Sequence, residues 1–180
     1  MQEFMKWTLD AIRTEGLSMS WMEAKRVEWT LLLAPRLRHL LNGGTFVIIT
    51  DDERAWFETY ILSNINNSQN TRPILPFVSL RSFYPALDSI NSKDEMMLLD
   101  DMLSLAFGNG YMYFYIGKSN DKRSQIAKLN DDSYLWLFDE QVQNSFFLSS
   151  KDESLDTKLI SLFKLFNKSI DAALMAQISL

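Results

Sequence analysis

Residues 42–80 hold a glycine turn, an apolar run from Thr45 to Ile49, an acidic loop Asp51-Asp52-Glu53, a helix-forming stretch, and RPILPFVSL as a second apolar run. That order predicts one βαβ unit, and parallel strands joined by a helix require a sheet whose two faces are both covered. In such a unit the crossover ordinarily holds a phosphate, because backbone N–H groups and the helix dipole favour an anion there. Here it carries three consecutive acids and no glycine.

The rest of the chain supplies the other layers. Phe4, Trp7, Ala11 and Ile12 recur at helical spacing up to Gly16, and a second periodic stretch runs from about Trp21 through Val27, Leu31, Leu37 and Leu41 to Gly43-Gly44. These predict a helical hairpin ahead of the first strand, with a kink or break between Leu33 and Pro35 because Pro35 lacks a backbone donor. Capping-box spacing at Thr50/Glu53, Ser92/Glu95 and Ser150/Glu153 marks three helix starts. Ile74 to Leu80, Tyr111 to Ile116, Tyr134 to Phe138 and Ser145 to Leu148 read as strands two to five, with a short helix from Ser124 to Leu129 between the third and fourth. The final helix places Leu159, Leu162, Phe163, Phe166, Ile170, Ala173 and Leu174 on one stripe, opposite Lys164, Lys168 and Asp171. The expected fold is α/β: a three-layer αβα sandwich on a five-stranded, mainly parallel sheet, forming a single domain over residues 1–180.

Bulk chemistry narrows the function. A net charge of −5 disfavours direct nucleic-acid binding, which depends on neutralising phosphates. With no cysteine there is no disulfide framework, thiolate nucleophile or sulfur-ligated zinc. No run approaches the roughly 20 apolar residues of a membrane span, and MQEFMKWTLDAIR lacks the features of a signal peptide, so a cytoplasmic protein without a membrane partner is expected.

The candidate chemical groups read mostly as structural. Asp51, Asp52 and Glu53 could pair for acid/base work or hold Mg²⁺, but acids in a first helical turn are favoured by the macrodipole alone. His39 has neither a nucleophile nor an orienting acid near it in sequence, and it reads as structural or surface. Arg36, Arg38 and His39, and likewise Lys122 and Arg123, form small basic patches expected to be solvated surface. Trp56, Tyr60, Phe83 and Tyr84 gather near the crossover; core packing is their ordinary role, and exposed they would anchor an interface.

The run LNGGTFVIITDDERAWF followed by RPILPFVSL resembles the phosphosugar-isomerase (SIS) fold, a flavodoxin-like arrangement. Where that family has a GNGGSA-like loop this chain reads TDDERA, and where it has a STSGNS-like loop this chain reads KSNDKRS. Side chains in place of glycine block close backbone approach, and acids repel a dianion. A retained fold with a lost ligand site is the profile of the DnaA-associating proteins of the HobA and DiaA type. The chain is similar to the HobA kind through LNGGTFVII, WFETYILSN, RPILP, SFYP, LWLFDE and DTKLISLFKLFNKSI. The resemblance implies a non-enzymatic regulator of chromosomal replication initiation, a homotetramer that binds the amino-terminal domain of DnaA and promotes its assembly at the origin. It implies no cofactor, metal, catalytic residue or small-molecule ligand. The partner surface is then expected among Asp51, Asp52, Trp56 and Tyr60, at Phe83 and Tyr84, and at the last helix end with Leu174, Met175 and Ile178. The rival reading is a divergent sugar-phosphate isomerase or sensor using Lys118, Ser119 and Ser124, since a lysine binds phosphate as a point charge without a glycine loop.

Overall fold

Successive side chains of β1 (Thr45–Thr50) part to opposite faces, as strand geometry demands, and every residue of it is buried. Phe46 and Ile48 join one core, Val47 and Ile49 the other. β3 (Tyr111–Lys118) repeats the division, with Met112, Phe114 and Ile116 on the first face and Tyr113 and Tyr115 on the second. A strand apolar on both sides belongs in the middle of a covered sheet. The computed structural model, which describes residues 1–180, places β1 and β3 there, in the order β2-β1-β3-β4-β5. Every pairing is parallel, where a mainly parallel sheet was expected. The order is the flavodoxin-like one.

The first face is covered by α1 (Gln2–Thr14), a 3₁₀ stretch (Gly16–Met22), α2 (Arg26–Leu41), α3 (Ala55–Ile65) and α7 (Leu155–Leu174). Its 33-residue core is rich in rings: Phe46 stacks on Phe77 at 4.8 Å, and Phe114, Tyr134, Trp136, Trp29 and Phe166 pack edge to face or tilted around it. Each fully buried ring contributes on the order of 2–3 kcal/mol of apolar burial. The second face is thinner, a 13-residue core under α4 (Leu80–Phe83), α5 (Lys93–Ala106) and α6 (Lys122–Lys128).

Several elements differ from expectation for identifiable reasons. α2 begins at Arg26, after the 3₁₀ stretch, and runs through Pro35 without a break. The carbonyl that Pro35 leaves without a donor belongs to Leu31, which is exposed, so water can satisfy it. β2 is only Phe77–Ser79, because Pro73 and Pro76 cannot donate to a ladder; Pro76 takes part through its carbonyl, which accepts from Phe46 N at 2.9 Å. The Ser92/Glu95 capping box forms as read. At the other two positions no capping box forms. Asp51 caps the turn before α3, freeing the Thr50 hydroxyl for Glu58, and Asp152 accepts from Ser154 just ahead of α7 while Ser150 is bonded to Asp139.

β4 (Tyr134–Phe138) and β5 (Ser145–Leu148) match expectation, yet they run parallel across residues 139–144 alone. Parallel neighbours usually need a crossover of about a dozen residues. The return is possible because the strands are short and the chain reverses sharply at both ends, at Asp139 and Asn144, each with φ of 63°. Aspartate and asparagine tolerate that conformation better than other side-chain-bearing residues. At this sheet edge Lys25 Nζ donates to Phe147 O at 2.9 Å and lies over the Phe146 ring.

No helix is long and apolar enough to cross a membrane.

Candidate functional site

Strand order reverses between β1 and β3, so the carboxyl ends of those strands form the crevice where an α/β sheet ordinarily takes a ligand. Asp51 sits in that crevice and is 3% exposed. Its Oδ1 accepts from Arg54 N at 3.0 Å, its Oδ2 accepts from Lys118 N at 2.8 Å, and the Arg54 guanidinium lies 3.6 Å away. Backbone donors from both loops therefore converge on an anion, and the anion is part of the chain. Gly117 makes this possible. At its φ of 155° an added Cβ would fall 2.7 Å from Asp51 Oδ2. Burial pushes the Asp51 carboxyl up, while the Lys118 N–H and the Arg54 charge pull it back.

Around this buried carboxylate the remaining charges cancel in pairs. Arg123 is 4% exposed; it reaches Asp52 at 2.8 Å and Asp88 at 3.3 Å, and donates to Thr50 O at 3.0 Å. Arg81 contacts Asp52 at 3.2 Å and Asp88 at 3.7 Å, and Glu53 pairs with both Arg54 and Lys118. The hydrogen bond from Arg123 holds Asp52 below the usual carboxylate range, and Lys118, then Arg54, do the same for Glu53. The acids read as repelling a dianion instead neutralise the arginines and fill the place a dianion would take.

The groups of the sugar-phosphate reading are engaged elsewhere. The Lys118 ammonium is held by Glu53, and the Ser124 hydroxyl, fully buried, donates to Ser119 O. What survives is a shallow cleft of about 370 Å³ lined by Lys118, Ser119, Asn120, Phe138 and Asp139. Arg123 was expected as solvated surface; its burial has a long-range cause, since Asp52 and Asp88 come from other loops. Arg54, Arg81, Asp88 and Gly117 were not singled out in the sequence. Only Gly117, a lone glycine closing an aromatic strand, carried a local signal.

The structure divides the expected partner residues into exposed and buried. Trp56 (40% exposed), Phe83 (43%), Leu174 (37%) and Met175 (56%) are at the surface, as is Asp52. Tyr60 and Tyr84 are half-buried, Tyr60 against Phe57 and Phe163. Asp51 and Ile178 are buried within the chain and present no surface. Phe83 leans on Phe107 with ring centroids 5.4 Å apart, and Trp56 on Phe57 at 5.3 Å, so both are supported apolar groups facing outward.

Trp56 and Phe83 thus stand exposed on the elements that follow β1 and β2, next to a filled crevice, and comparison with known proteins identifies the family. The family model described as HobA, DNA replication regulator, matches residues 1–180. The chain belongs to the HobA family of DNA replication regulators. The DNA replication regulator protein HobA of Helicobacter pylori (strain ATCC 700392 / 26695) is 31% identical over 188 residues, covering all of both chains. Two solved HobA structures from Helicobacter pylori, one of them a HobA–DnaA (domain I–II) complex, superpose with TM-scores of 0.78 at 30% identity. Both cover all of this chain, and the chain covers 100% and 99% of them. This HobA family member thus shares its relatives' fold over its whole length, and the sugar-phosphate reading is not favoured.

Proposed function

We propose that this HobA family member binds the amino-terminal region of DnaA and acts in replication initiation as a non-catalytic adaptor, assembled as a homotetramer. The observation that carries the reading is the full-length match to a HobA chain seen in complex with DnaA domains I–II. The crevice chemistry supports it, because Asp51, Asp52 and the arginines paired with them leave no vacant anion site in that crevice. A symmetric tetramer offers repeated docking sites and raises the local concentration of DnaA without making or breaking a bond. The docking residues fall in two groups: Trp56 and Phe83 as apolar anchors at the crevice end, with Asp52 and the half-buried Tyr60 and Tyr84 on the same elements, and Leu174 and Met175 at the end of α7, at the opposite edge of the sheet. Aromatic and methionine side chains at an interface core supply most of its energy, and a net charge of −5 leaves DNA contact to the partner.

The deciding measurement is the mass of the complex formed with the DnaA amino-terminal domain, which reports partner and valency together. A species of four chains carrying several DnaA domains is the expected result; absence of any complex at micromolar concentrations overturns it. Trp56→Ala and Met175→Ala should each weaken the complex by about tenfold, the usual scale of an interface anchor. Unchanged affinity in both variants removes these residues from the docking surface.

A further inference from the structure

Four arginine side chains are deeply buried: Arg36, Arg54, Arg72 and Arg123. Three have a carboxylate within 4 Å: Asp51 and Glu53 for Arg54, Asp171 for Arg72, and Asp52, Asp88 and Asp121 for Arg123. Arg36 has none. It is 6% exposed, its Nη2 donates to Ser133 O at 2.7 Å, and its Nε has no partner. Buried charges are ordinarily paired, because removing an ion from water is costly. Arg36 was expected as solvated helix surface; instead it lines a cavity of about 450 Å³ at the amino-terminal edge of the sheet, opposite the filled crevice.

That cavity is rich in further donors. Arg38 and His39 line it from the end of α2, with Asn42 just beyond and Asn109 across from them. His39 Nε2 is buried and, like Arg36 Nε, lacks a partner. The carbonyls of Arg38 and His39, which would repel an anion, already accept from Asn42 N and Gly44 N at 3.0 and 2.9 Å. One acid lines the cavity: Asp132, exposed, whose field acts on Arg36 without a direct pair.

We propose that this cavity binds a phosphate monoester, held by the guanidinium groups of Arg36 and Arg38 and the amides of Asn42 and Asn109. Two arginines and two amides offer more donors than a single carboxylate can accept, which favours a phosphoryl dianion. The volume exceeds that of the phosphoryl group and leaves room for an organic substituent. None of the docking residues lines the site, and its test does not depend on binding to DnaA.

The test uses the full chain and inorganic phosphate as probe, at ionic strength held constant with sodium chloride. Thermal midpoint should rise with phosphate and saturate. Exposed Arg38 is the variant least able to disturb folding, and Arg38→Gln should weaken binding at least about fivefold. Arg36→Met should abolish it, and Asp132→Asn should tighten it by relieving competition. Lys118→Gln, at the opposite edge, should leave it unchanged. The proposal is overturned by no saturable rise up to about 20 mM phosphate, by binding that survives Arg38→Gln, or by binding lost in Lys118→Gln.

Discussion

At the scale of single residues, Asp51 and Gly117 form one device built from positions 66 apart. Gly117→Ala should destabilise the chain by about 2–4 kcal/mol, from the collision with the Asp51 carboxylate and with Tyr115 Oη 2.8 Å away. Asp51→Ala should cost about 2–3 kcal/mol, since it leaves the backbone N–H groups of Lys118 and Arg54 without their side-chain acceptor. Urea unfolding of both variants and the double variant checks the coupling: the double variant should lose less than the sum, because Asp51→Ala removes one of the colliding groups. Additive losses would separate the two residues. Asp51 could be read from sequence as a cap, and it is one; that it also accepts from Lys118 could not, because that contact spans 67 residues. Arg36 and Arg123 were misread for the same reason. Local sequence shows that a residue is charged, while burial is decided by segments far away in the chain.

Among the elements, what could be read was whatever local chemistry governs. β4 and β5 fall where aromatic and apolar runs put them, and α5 starts at the Ser92 capping box. The misplaced helix starts lie where an aspartate accepts a neighbouring N–H, Asp51 from Arg54 and Asp152 from Ser154, while the Thr50 and Ser150 hydroxyls are bonded to Glu58 and Asp139. This difference can be measured. Ser92→Ala should lower stability by about 1 kcal/mol, whereas Glu153→Ala, which caps nothing, should stay within about 0.5 kcal/mol. A loss at Glu153 equal to that at Ser92 would restore the capping box before α7. The path of the 139–144 return was not legible in the sequence, since so short a stretch between two strands ordinarily makes a hairpin and these strands run parallel. Its two reversals can be probed at Asn144, where Asn144→Val forces a β-branched residue to a φ of 63° and should cost about 1–3 kcal/mol by urea unfolding. Wild-type stability in that variant would mean that residues 139–144 can take another path.

For the molecule as a whole, α/β class, sheet membership and helix order followed from hydrophobic periodicity, and the family from segments spread along the chain. Interface geometry did not, because it belongs to an assembly. The charge distribution sets the pH response. Asp52, Glu53, Glu95, Asp139, Glu140 and Asp152 are held below their usual range by donors that exist only in the fold, Asp152 at about 2 against 3.8. Groups depressed on folding stabilise above their unfolded pKa, so their contribution should fade as pH drops from about 4.5 toward 2. Asp51, raised by burial, acts in the opposite sense and offsets part of this loss. At the alkaline end Tyr111, Tyr113, Tyr115 and Tyr134 are raised by burial, so stability should also fall above their unfolded value of 10.0. Denaturant midpoints across pH check both limbs, and a midpoint that is flat from about pH 5 to 2.5 contradicts the acid one.

The two outer strands carry one more consequence. On β5 the carbonyl of Phe147 is occupied by Lys25 and the N–H of Ser145 by Val142; on β2 the N–H of Phe77 is taken by Leu75. An unpaired strand edge is a template on which other chains add and fibrils grow. With these edge groups engaged, the sheet is a poor seed for amyloid, and copies of the chain can crowd together through their helices without fusing through their backbones.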